Sequence, residues 1–374
     1  MKKIFINITL ILLLLILIEM SSFTFFTLMK DKFTFDSDEH YKLTQTMIEH
    51  VKKSYDAILG WKTIYDTKFG ERPRDRAYPD DLLASFGDSF THCDEVQYDE
   101  TWQSYLSKIV ERNVYNFGNP AYGTDQAYLR YTMDYPKVMT KITVLGLITE
   151  NINRVANVYR PFYFPGTGIP AAKPYFILKE NKMVLIENPV GTADEVNKLQ
   201  DIAFLKKIGT DDYWYLHKSR PMLQFPYIKI LLNRHFWEEV KLKLQHKTYN
   251  DLDPRSSEAD LWENPKYERI MQCIFDKFVN DSQSYHTTPI IMISPMWKDA
   301  EYTFRNKKSN KNVTRIVSYC RSKGYLVFDG VDALIRNAPN KKELQSFYSG
   351  HLSPRGNQVI AKEFQAFLTS NRLL

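Results

Sequence analysis

Apolar residues run from Ile4 to Ile18 with only Asn7 and Thr9 between them, and a second apolar group, Phe23 to Met29, follows Glu19 and Ser21-Ser22. The core Leu10–Ile18, behind Lys2 and Lys3, is laid out like the apolar region of a signal peptide, but Glu19-Met20-Ser21-Ser22-Phe23 offers no small-x-small cleavage site. The whole segment is long enough to cross a bilayer core of about 30 Å. The reading is an uncleaved signal anchor over residues 1–30. Lys2, Lys3 and the terminal amine stay cytoplasmic, so the remainder lies outside the cytoplasmic membrane as a single-pass protein.

The pattern then changes twice. Residues 31–79 are polar and mixed, and are expected to form a stalk with one or two helices. From residue 80 short apolar runs alternate with helical periodicity. Leu82–Phe86, Val114–Asn116, Lys141–Leu147, Pro289–Ser294 and Tyr325–Phe328 are continuous apolar or β-branched runs of the kind found in buried parallel strands. Between them, Trp102, Tyr105, Leu106 and Ile109 fall at i, i+3, i+4 and i+7 behind a capping Thr101. Ile270, Ile274, Phe275 and Phe278 mark another helix, and Val313, Ile316, Val317 and Cys320 a third. A closing helix after Gly356 carries Val359, Ile360, Phe364, Phe367 and Leu368. The expectation is an α/β domain over 80–374: a doubly wound, mainly parallel five-stranded sheet in a three-layer sandwich. Residues 161–260 break the rhythm and are expected to be an insertion, opened by a hairpin of Lys173–Leu178 with Lys182–Ile186.

Composition narrows the classes. Of 374 residues 44% are hydrophobic, 14% aromatic and 25% charged, which excludes disordered and collagen-like chains. Three cysteines (Cys93, Cys273, Cys320) make no disulfide framework, and no CxxC or HExxH spacing offers a metal site, so no metal or cofactor is expected. Fifty basic against 44 acidic residues leave a net charge of +6 without long basic runs, which argues against nucleic acid as a partner.

In an open α/β sheet, ligands bind beyond the carboxyl ends of the strands. Ser89 stands there, in Ser85-Phe86-Gly87-Asp88-Ser89-Phe90-Thr91 directly after the first strand. A serine on a tight strand-to-helix turn presents its hydroxyl and its own N–H to the same space, as a nucleophile with half an oxyanion hole requires. Alone, Gly-Asp-Ser is also ordinary turn chemistry.

Three further blocks make the pattern specific. With Gly87-Asp88-Ser89-Phe90-Thr91, the runs Asn116-Phe117-Gly118-Asn119-Pro120-Ala121, Thr149-Glu150-Asn151 and Gly350-His351-Leu352-Ser353-Pro354 resemble, in order and spacing, the four blocks of the SGNH (GDSL-type) hydrolase superfamily of esterases, lipases and polysaccharide acyl-group hydrolases or transferases. The resemblance implies Ser89 as nucleophile, His351 as general base, and an oxyanion hole from the N–H groups of Ser89 and Ala121 with the Asn151 amide.

There are three departures. Ala121 stands where the family has glycine. Glu150-Asn151 replaces Asn-Asp, so either Asn151 serves through a one-residue shift or the hole has backbone donors only; an ionised Glu150 cannot donate. Ser349 occupies the place of the acid two residues before the histidine, leaving Ser349, a main-chain carbonyl, Asp329 or Asp332 to orient His351.

Among other candidates, His92 reads as a loop histidine and Cys93 as a buried thiol. Arg154 and Arg160 read as structural, or as contacts to an anionic sugar. The aromatics Tyr159–Phe164 and Tyr213–Tyr215 read as core, or as a sugar platform. The leading functional reading is a membrane-anchored serine esterase or O-acyltransferase whose substrate is an acylated cell-envelope glycan or a small ester. The competing one is a degenerate relative kept as a glycan-binding or assembly subunit.

Overall fold

The computed structural model describes residues 2–33, 35–217, 220–245 and 261–374. Five parallel strands form the central sheet: β1 (Asp81–Gly87), β2 (Asn113–Gly118), β3 (Ile142–Leu147), β4 (Thr288–Ile293) and β5 (Leu326–Asp329), in the order β2-β1-β3-β4-β5. Each lies within two residues of its expected place. Because side chains alternate across a strand, successive residues feed opposite cores. Val144, Ile290 and Met292 pack with Trp102, Phe328 and Phe364 on one face, whereas Leu145, Ile291 and Ile293 pack with Phe86, Phe117 and Phe275 on the other. Helices Trp102–Val110 and Pro354–Ser370 belong to the first face, Thr124–Val138 and Pro265–Ser284 to the second. The layered α/β fold is the one anticipated, and its winding reverses between β1 and β3, where such sheets place their ligand crevice.

The insertion contains the expected hairpin, Tyr175–Lys179 antiparallel to Lys182–Ile186. Residues 246–260 of its predicted span lie outside the described residues. Tyr159, Phe162 and Tyr163 are buried, the core reading of those aromatics.

Residues 31–79 are not a free stalk. Thr44 caps a helix, Gln45–Ser54, whose Ile48 and Val51 join Tyr41, Leu43, Leu59 and Trp61 in the main core. The segment then buttresses two of the sequence blocks. Thr63 N–H donates to Asn119 Oδ1 (2.8 Å), Trp61 Nε1 donates to the Pro120 carbonyl (3.0 Å), and the Tyr122 hydroxyl donates to the Trp61 carbonyl (2.6 Å). The Arg72 guanidinium gathers the carbonyls of Cys93 (2.7 Å) and Val96 (2.5 Å). Its high polarity concealed an amphipathic helix that covers one face of the domain.

The N-terminal helix spans Lys2–Leu28, and Ile6–Leu28 (23 residues, mean hydropathy 2.3) is long and apolar enough to cross a membrane.

Candidate active site

Three strand-end glycines shape the site. A Cβ on Gly87 or Gly146 would stand 2.0 or 2.2 Å from Thr91 Oγ1, and one on Gly118 2.1 Å from the His92 nitrogen. Only hydrogen at those positions lets the turn Ser89–His92 sit down on the ends of β1, β2 and β3. Asp88 caps that turn, its Oδ1 accepting from Phe90 N–H (2.9 Å) and Thr91 N–H (3.4 Å). The cap leaves the N–H of Ser89, the first residue of the turn, to face outward.

His351 arrives from the opposite direction, on a hairpin of Tyr348–Ser349 with His351–Leu352 whose tip, Gly350, has φ +88°. Its Nε2 lies 2.9 Å from Ser89 Oγ, and its ring packs on Phe90 with centroids 4.8 Å apart. With the ring proton on Nδ1, Nε2 accepts from the serine hydroxyl. That is the alignment a nucleophile and its general base require.

The side chain behind the ring is none of Ser349, Asp329 and Asp332. Glu95, six residues after the serine, accepts the His351 backbone N–H at Oε2 (2.9 Å) and places Oε1 3.5 Å from Nδ1. A Cβ on Gly350 would collide with this carboxylate at 2.2 Å, so the glycine admits it. Ser349 is exposed across the hairpin. Asp329 caps the helix Gly330–Arg336, accepting from Val331 N–H (3.0 Å) and Asp332 N–H (3.1 Å), and Asp332 pairs with Arg336 (2.5 Å). Both are engaged at the end of β5 and not with the imidazole. Sequence spacing missed Glu95 because its contact spans 256 positions; its local trace is an acidic residue in the left-handed region (φ +71°) just beyond the nucleophile turn.

The oxyanion side departs likewise. Asn151 is fully buried, and its amide Nδ2 donates to Asp88 Oδ2 (2.6 Å), which locks the nucleophile turn from behind. Burial raises the Asp88 pKa from its ordinary value, opposed by Arg154 and by the hydrogen bonds it accepts. The cleft wall at this point is Glu150, which accepts from the Tyr163 hydroxyl (2.5 Å) and lies 3.7 Å from Arg154. Ala121 occupies the family glycine's place with φ +68° and lines the cleft opposite Ser89. Of the two alternatives for the oxyanion hole, this geometry favours backbone donors from Ser89 and Ala121.

The cleft holding these groups measures about 490 Å³. Phe90, Ile148, Phe164, Ile169 and Met296 give it apolar walls, while Trp297, Arg154 and Arg160 supply a ring and two guanidinium groups. Both ring nitrogens of His92 are engaged, with the Tyr65 hydroxyl (2.6 Å) and Asp94 (2.5 Å), and burial lowers its pKa. Burial pushes the Cys93 thiol up to about 12, which disqualifies it as a thiolate nucleophile. Among the described residues no group of three or more His, Cys, Asp or Glu is placed to hold a metal ion.

No family model and no curated protein sequence matches the chain. Among solved structures it is similar to a lipolytic protein of the G-D-S-L family from Desulfitobacterium hafniense DCB-2 (12% identity, TM-score 0.37, covering 78% of this chain and 99% of that one). It is also similar to TesA (8%, 0.37, 78% and 99%) and to a catalytic mutant of Axe2, an acetylxylan esterase from Geobacillus stearothermophilus (11%, 0.34, 78% and 94%). Likenesses this distant assign no activity, which must be argued from the cleft itself.

Proposed function

We propose that the chain is a membrane-anchored serine esterase or O-acyltransferase acting on acyl groups of a cell-envelope glycan. The observation that carries the reading is the 2.9 Å approach of Ser89 Oγ to His351 Nε2 inside a walled cleft. Ser89 attacks the acyl carbonyl as Nε2 takes its proton, and the oxyanion forms between the N–H groups of Ser89 and Ala121. One such donor is typically worth about 10²–10³ in rate. Glu95 faces the imidazolium that develops, at a separation that shortens as the ring becomes charged. The protonated ring then returns its proton to the departing sugar oxygen. Water or a sugar hydroxyl takes the acyl group from Ser89 in the second half-reaction.

The cleft chemistry suits a sugar ester. Apolar walls accept the acyl group, and Trp297 offers a stacking face to a polar ring, while Arg154 and Arg160 brace the wall through the carbonyls of Tyr122 (2.9 Å) and Ala121 (3.2 Å). The apolar N-terminal helix serves as the anchor, with Lys2 and Lys3 on the cytoplasmic side and the domain outside.

The degenerate-subunit reading draws on Glu150 and Ser349, which stand where the resemblance implies an amide donor and an acid; the aligned Ser89–His351 pair weighs against it. Incubation of the full chain with a fluorophosphonate probe and with p-nitrophenyl acetate separates the two. Labelling and turnover are expected in the wild type and lost in Ser89→Ala. A folded wild type that takes no label would leave the non-catalytic reading standing.

A further inference from the structure

We propose that residues 222–244 form a collar embedded in the outer interfacial layer of the bilayer, so that the domain is seated in the membrane surface instead of being tethered above it. The inference rests on the membrane-anchor reading. It begins with Glu19, a carboxylate inside the apolar helix. Glu19 accepts two backbone N–H groups from more than 200 positions further along the chain, Tyr227 (2.5 Å) and Ile228 (3.0 Å). Past this point the helix is docked. Phe23 meets Tyr227 with ring centroids 5.1 Å apart, Phe26 meets Phe236 at 5.3 Å, and Phe26, Ile230 and Phe236 are buried together.

Length then forces the depth. From Ile4 to Ile18 the helix rises only about 22 Å at 1.5 Å per residue. A hydrocarbon layer of about 30 Å therefore extends on the order of 8 Å further, past Glu19 to about Phe23. The segment that caps Glu19 must reach the same depth. Its surface is suited to that place. Phe225 (76% exposed), Leu232 (79%), Trp237 (53%) and Leu244 (78%) face outward, with none of the described residues covering them. Residues 220–245 carry five Lys and Arg against two Glu. Exposed apolar side chains beside basic ones describe an interfacial element that favours anionic headgroups.

Nitroxide labels on the full chain in vesicles of phosphatidylcholine and phosphatidylglycerol test this. Cys93, Cys273 and Cys320 are buried, so labels introduced by Phe225→Cys, Leu232→Cys and Leu244→Cys report their own sites, with Ile109→Cys as the water-exposed reference. At the three collar positions, collisions with oxygen are expected to rise and collisions with a water-soluble nickel chelate to fall, relative to residue 109. Nickel access equal to the reference overturns the collar, and shielding from both reagents overturns the lipid in favour of a protein partner. Carbonate washing keeps the two readings apart. A chain that stays in the membrane with water-exposed labels refutes the collar alone, whereas one that washes off refutes the anchor as well. Glu19→Leu is expected to keep the anchor and raise nickel access at residues 225 and 232, and Glu19→Gln to preserve their depth. Unchanged depth in Glu19→Leu would refute the docking role of Glu19.

Discussion

Ser89 and His351 reach one cleft by opposite means. Ser89 is pressed onto the sheet: three glycines at three strand ends admit its turn, Asp88 caps it, and Asn151 and Arg72 hold it from behind and below. His351 stands on a hairpin of two residues per strand, tied by its backbone N–H to Glu95 and by the Tyr348 hydroxyl to the Pro295 carbonyl (3.0 Å). Ser89 is thus placed by the fold. His351 is placed by a carboxylate, Glu95, that follows Ser89 by six residues. With Ser349 exposed, orientation of the imidazole need not come from its own hairpin, because Glu95 already reaches it.

Removing either reacting group gives the largest effect. Ser89→Ala and His351→Gln should each lower kcat by on the order of 10⁴–10⁶ towards p-nitrophenyl acetate, with circular dichroism unchanged. Combining them should cost little more than either alone, since groups acting as one unit are not additive. Additive losses would mean that the 2.9 Å contact is not the working pair.

Glu95 comes next. Glu95→Gln keeps an acceptor for the His351 N–H but removes the charge opposite Nδ1, and should lower kcat by about 10²–10⁴ with KM nearly unchanged. Ser349→Ala, Asp329→Asn and Asp332→Asn should stay within a few-fold of wild type. A large loss at any of these three, with Glu95→Gln near wild type, would return the acid to the last block or to the end of β5.

The sheet side breaks through sterics. Gly118→Ala drives a methyl group to within about 2 Å of the His92 nitrogen, so the nucleophile turn must lift. We expect a loss of about 1–3 kcal/mol in stability, read from the denaturant midpoint, and a fall in kcat that exceeds what partial unfolding explains. Gly324→Ala, a glycine with open space around it, is the control for sterics, although its φ of +71° adds a backbone penalty of its own.

How much of this was legible follows the same division. The five strands read directly, because a buried parallel strand is a short apolar run and each run here is bounded by polar turn residues. Ser89 and His351 were legible because their constraints are local: a Gly-Asp-Ser turn at a strand end, and a histidine shortly before the Ser353 cap of the closing helix. Glu95 was not, since its partner lies 256 positions away and no periodicity records a side chain reaching across a cleft. Asn151 was one of two options for the oxyanion donor, and its amide donates to Asp88, a partner 63 positions away that spacing cannot express. Residues 31–79 were taken as a stalk because their polar faces dominate the composition, while Ile48, Val51, Leu59 and Trp61 carry the packing.

The smallest expected effect concerns Ala121, a residue with a Cβ held in a backbone conformation that favours glycine. Its φ of +68° is the left-handed region, in which a Cβ crowds the backbone at a cost of roughly 1–2 kcal/mol. Ala121→Gly removes that cost but adds freedom to the unfolded chain, worth about 0.4–1 kcal/mol in the opposite sense. The balance favours the glycine variant by a few tenths to about 1 kcal/mol, measurable as a higher denaturant midpoint. Activity should stay within a few-fold, because the oxyanion donor is the N–H and glycine presents the same one. A glycine variant that is stabilised but loses kcat by 10² would show that the methyl group, which lines the cleft, is itself a contact to the acyl group. The alanine would then be held against its backbone preference by what it touches in the substrate.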